Sequence, residues 1–392
     1  MNDVPLAVVD KIVDNGGRMS EENSTASEER ARPADTRDSK LRPLAKVNDW
    51  LERIDPGTHR RIKGLRLVTA YGLAAGMGAF QDISRGQAHD FSLGSLAGGF
   101  ALWASVSEGK TDRAECSRDL FLLCAAAAVG AAMMIVLTPV LSGPGRPGPE
   151  LTLATGAFLV GYLKRYGVLG AGIGSQIYIG QLLAFGAGLK PGDLGSVAVA
   201  GTIATLAAIV PRVLSGPAER PVLAPTVMAG STSKFLSAPM IMGLQGATAA
   251  LVIVALNHLV GLEQSAWAIT ACTYVIASSA AGTIDRVRRR IIGTVIGVPL
   301  GLACLPLAPH VPLLLWIAAA VAMVIYAMAL PDRYDIACAA FAFALIVTLA
   351  INGMRSTLVL SARIWETLIG ATLGLGAAMV VFPLRAEGSG QK

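Results

Sequence analysis

From about residue 65 onward, apolar positions gather into long Ala/Leu/Val/Gly-rich stretches divided by short segments that carry Arg, Lys, Asp, Pro and Gly. Crossing about 30 Å of hydrocarbon takes roughly 17 to 25 helical residues. The pattern predicts spans near 65–83, 91–107, 119–141, 151–165, 167–187, 194–213, 239–261, 265–281, 290–308, 311–330, 335–352 and 361–383. The period-two alternation that a barrel wall around a polar lumen needs is missing, so the prediction is all-α.

Upstream the pattern is different. The run "SEENSTASEERARPADTRDSKLRPLAKVND" at 20–49 is charged, rich in Ser and Thr and nearly free of large apolar side chains. Such a segment cannot offset the entropy of ordering, and residues 1–46 are predicted to be a disordered cytoplasmic tail. The apolar core "PLAVV" at 5–9 is too short for a signal peptide. Residues 47–64 mix Trp50, Leu51 and Ile54 with Arg53, Arg60, Arg61 and Lys63. This predicts an amphipathic juxtamembrane segment on an anionic inner leaflet.

Composition sharpens the class. The 392 residues are 53% hydrophobic and only 15% charged, with mean hydropathy +0.56, so a soluble domain is excluded and an all-α polytopic membrane protein expected. In a soluble chain the net charge of +6 would suggest nucleic acid; here it reports cations kept on one side of a bilayer. That side holds Arg60, Arg61, Lys63 and Arg66, then Lys110, Arg113 and Arg118, then Lys164, Arg165, Arg212, Arg220 and Lys234, the run Arg286, Arg288, Arg289 and Arg290, and Arg333 and Arg385. The opposite side holds mainly Arg85, Arg146, Lys190, Arg355 and Arg363. The bias predicts a multi-pass protein of a bacterial inner membrane, with about twelve spans and both termini cytoplasmic.

An internal duplication is visible. Asp112-Arg113 and Asp285-Arg286 follow the second and eighth predicted spans, while "IVPR" from Ile209 and "VFPLR" from Val381 close the sixth and twelfth. The matched offsets predict two parallel six-helix repeats, 65–213 and 239–385, joined by a cytoplasmic linker at 214–238 and followed by a cytoplasmic tail at 386–392.

Glycines recur four residues apart at Gly293/Gly297/Gly301, Gly72/Gly76, Gly94/Gly98 and Gly370/Gly374, which predicts faces where helices approach closely. They are no phosphate loop, since no soluble α/β unit surrounds them, and "SEGKTD" at 107–112 lacks the upstream glycine of a P-loop. Cys116, Cys124, Cys272, Cys304 and Cys338 have neither disulfide nor metal spacing and read as buried small residues. No nucleophile–base spacing indicates an enzyme, and no cofactor or metal is expected. His258 and His310 read as interfacial residues near the outer boundary, and Asp285 as the local partner of Arg286 at the inner mouth.

The run from Trp267 through "TACTYVIASSAAGTIDRVRRRIIGTVIG", an apolar span, and then "RIWETLIGATLG" from Arg363 resembles the fusaric acid resistance protein-like group, the aromatic acid exporter family. The family's Arg-x-x-Gly-Thr-x-x-Gly falls on Arg290, Gly293, Thr294 and Gly297. Its Arg-x-x-acid-Thr-x-x-Gly falls on Arg363, Glu366, Thr367 and Gly370. Plant aluminium-activated malate transporters are similar around the first motif. The clear likeness covers about 240–385, with the first half as a degenerate copy, and the soluble domain that larger family members carry between their halves is missing.

The resemblance implies a proton-motive-force-driven exporter of aromatic or related organic acids, with a passive organic-anion channel as the alternative. Arg290 and Arg363 each stand at the predicted start of a span, one at the inner and one at the outer face, where helix amino termini and Thr294 and Thr367 would form carboxylate-binding corners. Glu366 is the candidate proton-coupling acid. Gln176, Tyr178 and Gln181 are polar groups within a span that would bond a neighbouring helix or line the pathway; Ser175, Gln245, Thr270 and Thr273 share that character. The expected partners are the lipid bilayer and a small organic anion, with a homo-oligomer or a periplasmic adaptor beyond them and no nucleic acid. A cysteine introduced at Lys234 is expected to react with membrane-impermeant reagents only after the inner membrane has been opened.

Overall fold

The computed structural model describes residues 59–85, 91–109, 112–215, 237–262, 265–330, 332–354 and 356–384. The predicted tails at 1–46 and 386–392, residues 47–58 of the juxtamembrane segment and residues 216–236 of the linker lie outside the described residues.

Among the described residues there is no strand, and twelve α-helices follow one another. The first six are α1 (His59–Arg85), α2 (Leu93–Ser107), α3 (Arg113–Leu141), α4 (Leu151–Tyr162), α5 (Gly167–Gly186) and α6 (Leu194–Ser215). After the linker come α7 (Ala238–Val260), α8 (Ser265–Val275), α9 (Ala280–Ala303), α10 (Pro312–Ala329), α11 (Tyr334–Ile351) and α12 (Thr357–Val380). Among the described residues eight helical stretches are long and apolar enough to cross a membrane, with Leu151–Gly186 counted as one of them. That stretch turns back on itself, however: Gly167 has φ +76° after the 3-10 turn Leu163–Tyr166, and α4 packs against α5. Gly156 meets Gln181 while Gly174 meets Leu159, so the two helices are antiparallel.

Every predicted span has a helix over it, and the limits around the α8–α9 junction are both displaced. α8 ends at Val275, short of the predicted 281, and α9 begins at Ala280 rather than at Arg290. Ser279 sets that start, its hydroxyl accepting from the Gly282 N–H at 3.1 Å. Arginine is a good helix former, so the charged run lengthens α9 instead of preceding it. α1 likewise begins at His59, making the end of the predicted juxtamembrane segment one helix with the first span.

The packing falls into corresponding sets. α3 lies against α5 and α6, and α9 against α11 and α12; α2 lies on α6 and α8 on α12; α4 lies on α7 and α10 on α1. The largest apolar core includes Phe100, Leu123, Met134, Leu153, Tyr178, Ile253 and Ile269, and a second one joins Leu67, Leu315, Met323 and Val347. Large apolar side chains also face outward, among them Val136, Leu251, Ile296, Leu314 and Ile317, which suits a bundle surrounded by lipid.

Glycines set the closest approaches. A methyl group on Gly293 or Gly297 would press into the α11 backbone at Asp335 or Ala339, and one on Gly370 into Ala268 of α8. Gly94 and Gly98 meet Ala75 and Tyr71 of α1 in the same way. Gly72 and Gly76 do not repeat the device, because nothing lies within 4 Å of a methyl at either; Gly78 instead takes the contact with Gly94. Gly297→Ala is therefore expected to destabilise the protein by about 1–3 kcal/mol through overpacking. In thermal unfolding in detergent, Gly72→Ala should match or exceed wild type, since helical alanine is favoured over glycine by about 1 kcal/mol.

Candidate functional site

Arg290 and Thr294 lie one turn apart on α9, and Arg363 and Thr367 one turn apart on α12, so each pair shares a helix face. The close α9–α11 seam at Gly293 and Gly297 brings Cys338, Phe341 and Ala342 of α11 beside them. These seven residues line one cavity of about 20 Å³.

Arg290 therefore lies ten residues beyond the start of α9 and Arg363 six beyond the start of α12. The predicted arrangement, two arginines at helix starts on opposite membrane faces, is corrected: both are inside their helices and meet at one cavity. The free N–H groups of a helix terminus are thus not part of the site. Hydropathy placed the α9 start at the charged run because it measures the edge of the apolar stretch, whereas the Ser279 cap decides where the helix begins.

Both guanidinium groups are held by aromatic neighbours. The Arg363 guanidinium lies over the Trp267 ring at 3.7 Å, with the residue 5% exposed, and its Nη1 is buried without a hydrogen-bond partner. Arg290 donates from Nη1 to the Tyr334 hydroxyl at 3.3 Å, while its Nε is buried with no partner. Thr294 and Thr367 are buried in the cavity wall. Glu366, fully buried one turn from Arg363, acts on it electrostatically. The wall is thus rich in donors, and a guanidinium has no acceptor, which is the chemistry of an anion site.

The other pathway candidates are not at this cavity. Gln176 donates to Ser107 of α2 and Gln181 to Thr155 of α4, each at 3.1 Å, and Tyr178 shares a 2.8 Å hydrogen bond with Thr270 of α8. Ser175 and Tyr274 make a second α5–α8 bond at 2.7 Å. Gln245 donates to the Val381 carbonyl at 2.8 Å, satisfying the carboxyl end of α12. Asp285 pairs with Arg289 at 2.9 Å, not with Arg286, because residues four apart share a helix face and adjacent ones do not. Arg286 donates to the Ile276 carbonyl.

Sequence reasoning missed Tyr334, Cys338 and Phe341 as site residues, and Trp267 as the platform for Arg363. A side chain ninety-six positions from its partner leaves no spacing signal.

The first six helices contain a different charged cluster. Glu108, just after α2, pairs with Arg212 of α6 at 3.0 Å, both side chains nearly fully buried, and Cys116 of α3 donates to Glu108 at 2.6 Å. All five cysteines are free thiols, four of them buried.

Apolar helices with lipid-compatible outer faces and buried polar groups in their seams define a multi-pass membrane protein. Within it, residues 248–377 match the family model described as fusaric acid resistance protein-like, a stretch that contains every cavity residue. The match supports the family resemblance and points to a membrane transport or resistance function. No curated protein and no solved structure matches the chain.

Removing one member of a buried ion pair strands its partner at a cost of about 3–5 kcal/mol. Glu108→Gln is therefore expected to lower the unfolding midpoint sharply, with part of the loss recovered in Glu108→Gln/Arg212→Met.

Proposed function

We propose that the protein is a proton-driven inner-membrane exporter of aromatic or related organic acids, built as two parallel six-span halves with both termini in the cytoplasm. The observation that carries this reading is the convergence of Arg290 and Arg363, with Thr294 and Thr367, on one cavity within apolar helices. Buried guanidinium groups bind carboxylates through charge-assisted hydrogen bonds. Phe341 in the wall and Trp267 beneath Arg363 offer apolar faces to a ring. The corresponding packing of α3/α5/α6 and α9/α11/α12 supports duplicated halves, which suit alternating access.

A cavity of about 20 Å³ is too small for an organic acid, so passage requires it to enlarge. That favours a carrier with a closed state over the standing channel that the plant resemblance implies. Glu366, one turn from Arg363, is the proposed coupling acid: protonating it leaves the neighbouring cation free for substrate, and losing the proton restores its competition.

Benzoate movement in proteoliposomes with an imposed pH gradient tests this reading. Loss of a hydrogen bond to a charged group costs about 1.5–3 kcal/mol, so Arg290→Gln and Arg363→Gln should each slow transport at least about tenfold. Glu366→Gln should abolish accumulation against a gradient while passive exchange continues. Wild-type rates in both arginine variants at normal expression would overturn the assignment.

A further inference from the structure

We infer that the Arg290–Arg363 cavity is a binding site for one small inorganic anion of the halide type, which competes with the organic acid for the same two guanidinium groups. This rests on the transport reading only in sharing its arginines; size, charge and ligand chemistry each point to it separately.

Size comes first. A cavity of about 20 Å³ has room for roughly one water-sized particle. A halide is little larger than water, whereas a carboxylate with its attached carbon, a sulfate or a phosphate is several atoms across. A monatomic anion therefore fits this space as it stands.

Charge comes second. Arg290 and Arg363 place two positive groups in the wall, and the carboxylate acting on Arg363 from one turn away is Glu366. Asp335, three residues before Cys338 on α11, is already bound to Arg333 at 2.9 Å. The formal sum at the cavity is one positive charge, two cations less one carboxylate. An uncompensated charge in a low-dielectric interior is costly, and a single monovalent anion brings the sum to zero while a dianion overshoots.

Ligand chemistry comes third. Arg363 Nη1 and Arg290 Nε are buried donors without a partner, and the Thr294 and Thr367 hydroxyls lie in the same wall. Arginine and threonine side chains from two helices line this one wall, and a spherical anion makes no directional demand on them.

The test uses the purified full-length chain in detergent, in halide-free sodium sulfate at constant ionic strength, titrated with sodium chloride or sodium bromide. The expected result is a saturable rise in melting temperature and a saturable change in tryptophan fluorescence, since Trp267 stacks on Arg363. Arg290→Gln and Arg363→Gln should weaken halide affinity at least tenfold, and Arg165→Gln, outside the cavity, should leave it unchanged. Thr367→Val, which keeps shape and removes one hydroxyl, should weaken it several-fold and serves if an arginine variant does not fold. A response that fails to saturate, that sulfate reproduces, or that survives Thr367→Val and the folded arginine variants overturns the inference.

Benzoate flux measured in parallel separates the two proposals. Arginine-dependent benzoate transport without halide binding overturns the halide site and leaves the exporter standing. Arginine-dependent halide binding with arginine-independent benzoate flux does the reverse.

Discussion

The interior of a bilayer offers a backbone amide nothing to bond to, and an unbonded N–H or C=O there costs several kcal/mol. Helices answer that demand along most of this chain, and the remaining places need individual solutions. Between α8 and α9 the ladder stops, and Thr283 and Arg286 take over: the Thr283 hydroxyl accepts from the Ala277 N–H and the Arg286 guanidinium bonds the Ile276 carbonyl. At the end of α12 the Gln245 amide reaches from α7 to the last carbonyls. Because lipid is as apolar as leucine, helices gain little from hiding hydrocarbon from it, and contact area must come from close approach. Gly293, Gly297 and Gly370 provide that approach, and the cavity lies beside the seam they create.

Buried charge is handled in two ways. Glu108 and Arg212 neutralise each other directly, with the Cys116 thiol adding a further donor, and this arrangement is structural. Arg290 and Arg363 are supported by a phenol and an indole face, which hold a guanidinium in place without cancelling its charge. The contrast is between a cation closed off by its own ion pair and two cations whose guanidinium contacts are aromatic.

Much of this was legible in the chain. Apolar runs gave the helices because their length and the polar breaks between them follow from bilayer thickness. The Arg-x-x-Gly-Thr-x-x-Gly and Arg-x-x-acid-Thr-x-x-Gly motifs gave Arg290, Thr294, Arg363 and Thr367, four of the seven residues of the cavity. Their meeting was not legible: Arg290 reads as the start of a span because hydropathy changes there, while the helix starts ten residues earlier, just after a serine cap. Trp267 and Tyr334 became neighbours of the arginines through the parallel packing of α8 on α12 and of α9 on α11, which leaves no local pattern. The error at Gly72 and Gly76 has the same origin, since glycine spacing shows that a face is smooth but not whether anything lies against it.

The turn at Leu163–Tyr166, closed by Gly167 in a left-handed conformation, decides more than its four residues suggest. Read as one hydrophobic length, Leu151–Gly186 is a single traverse, and an odd number of traverses would invert everything that follows. Folded back as antiparallel α4 and α5, the same stretch brings its far part beside its near one, with Gln181 against Gly156. One glycine in a left-handed conformation thus decides whether these 36 residues make a single long rod or a hairpin.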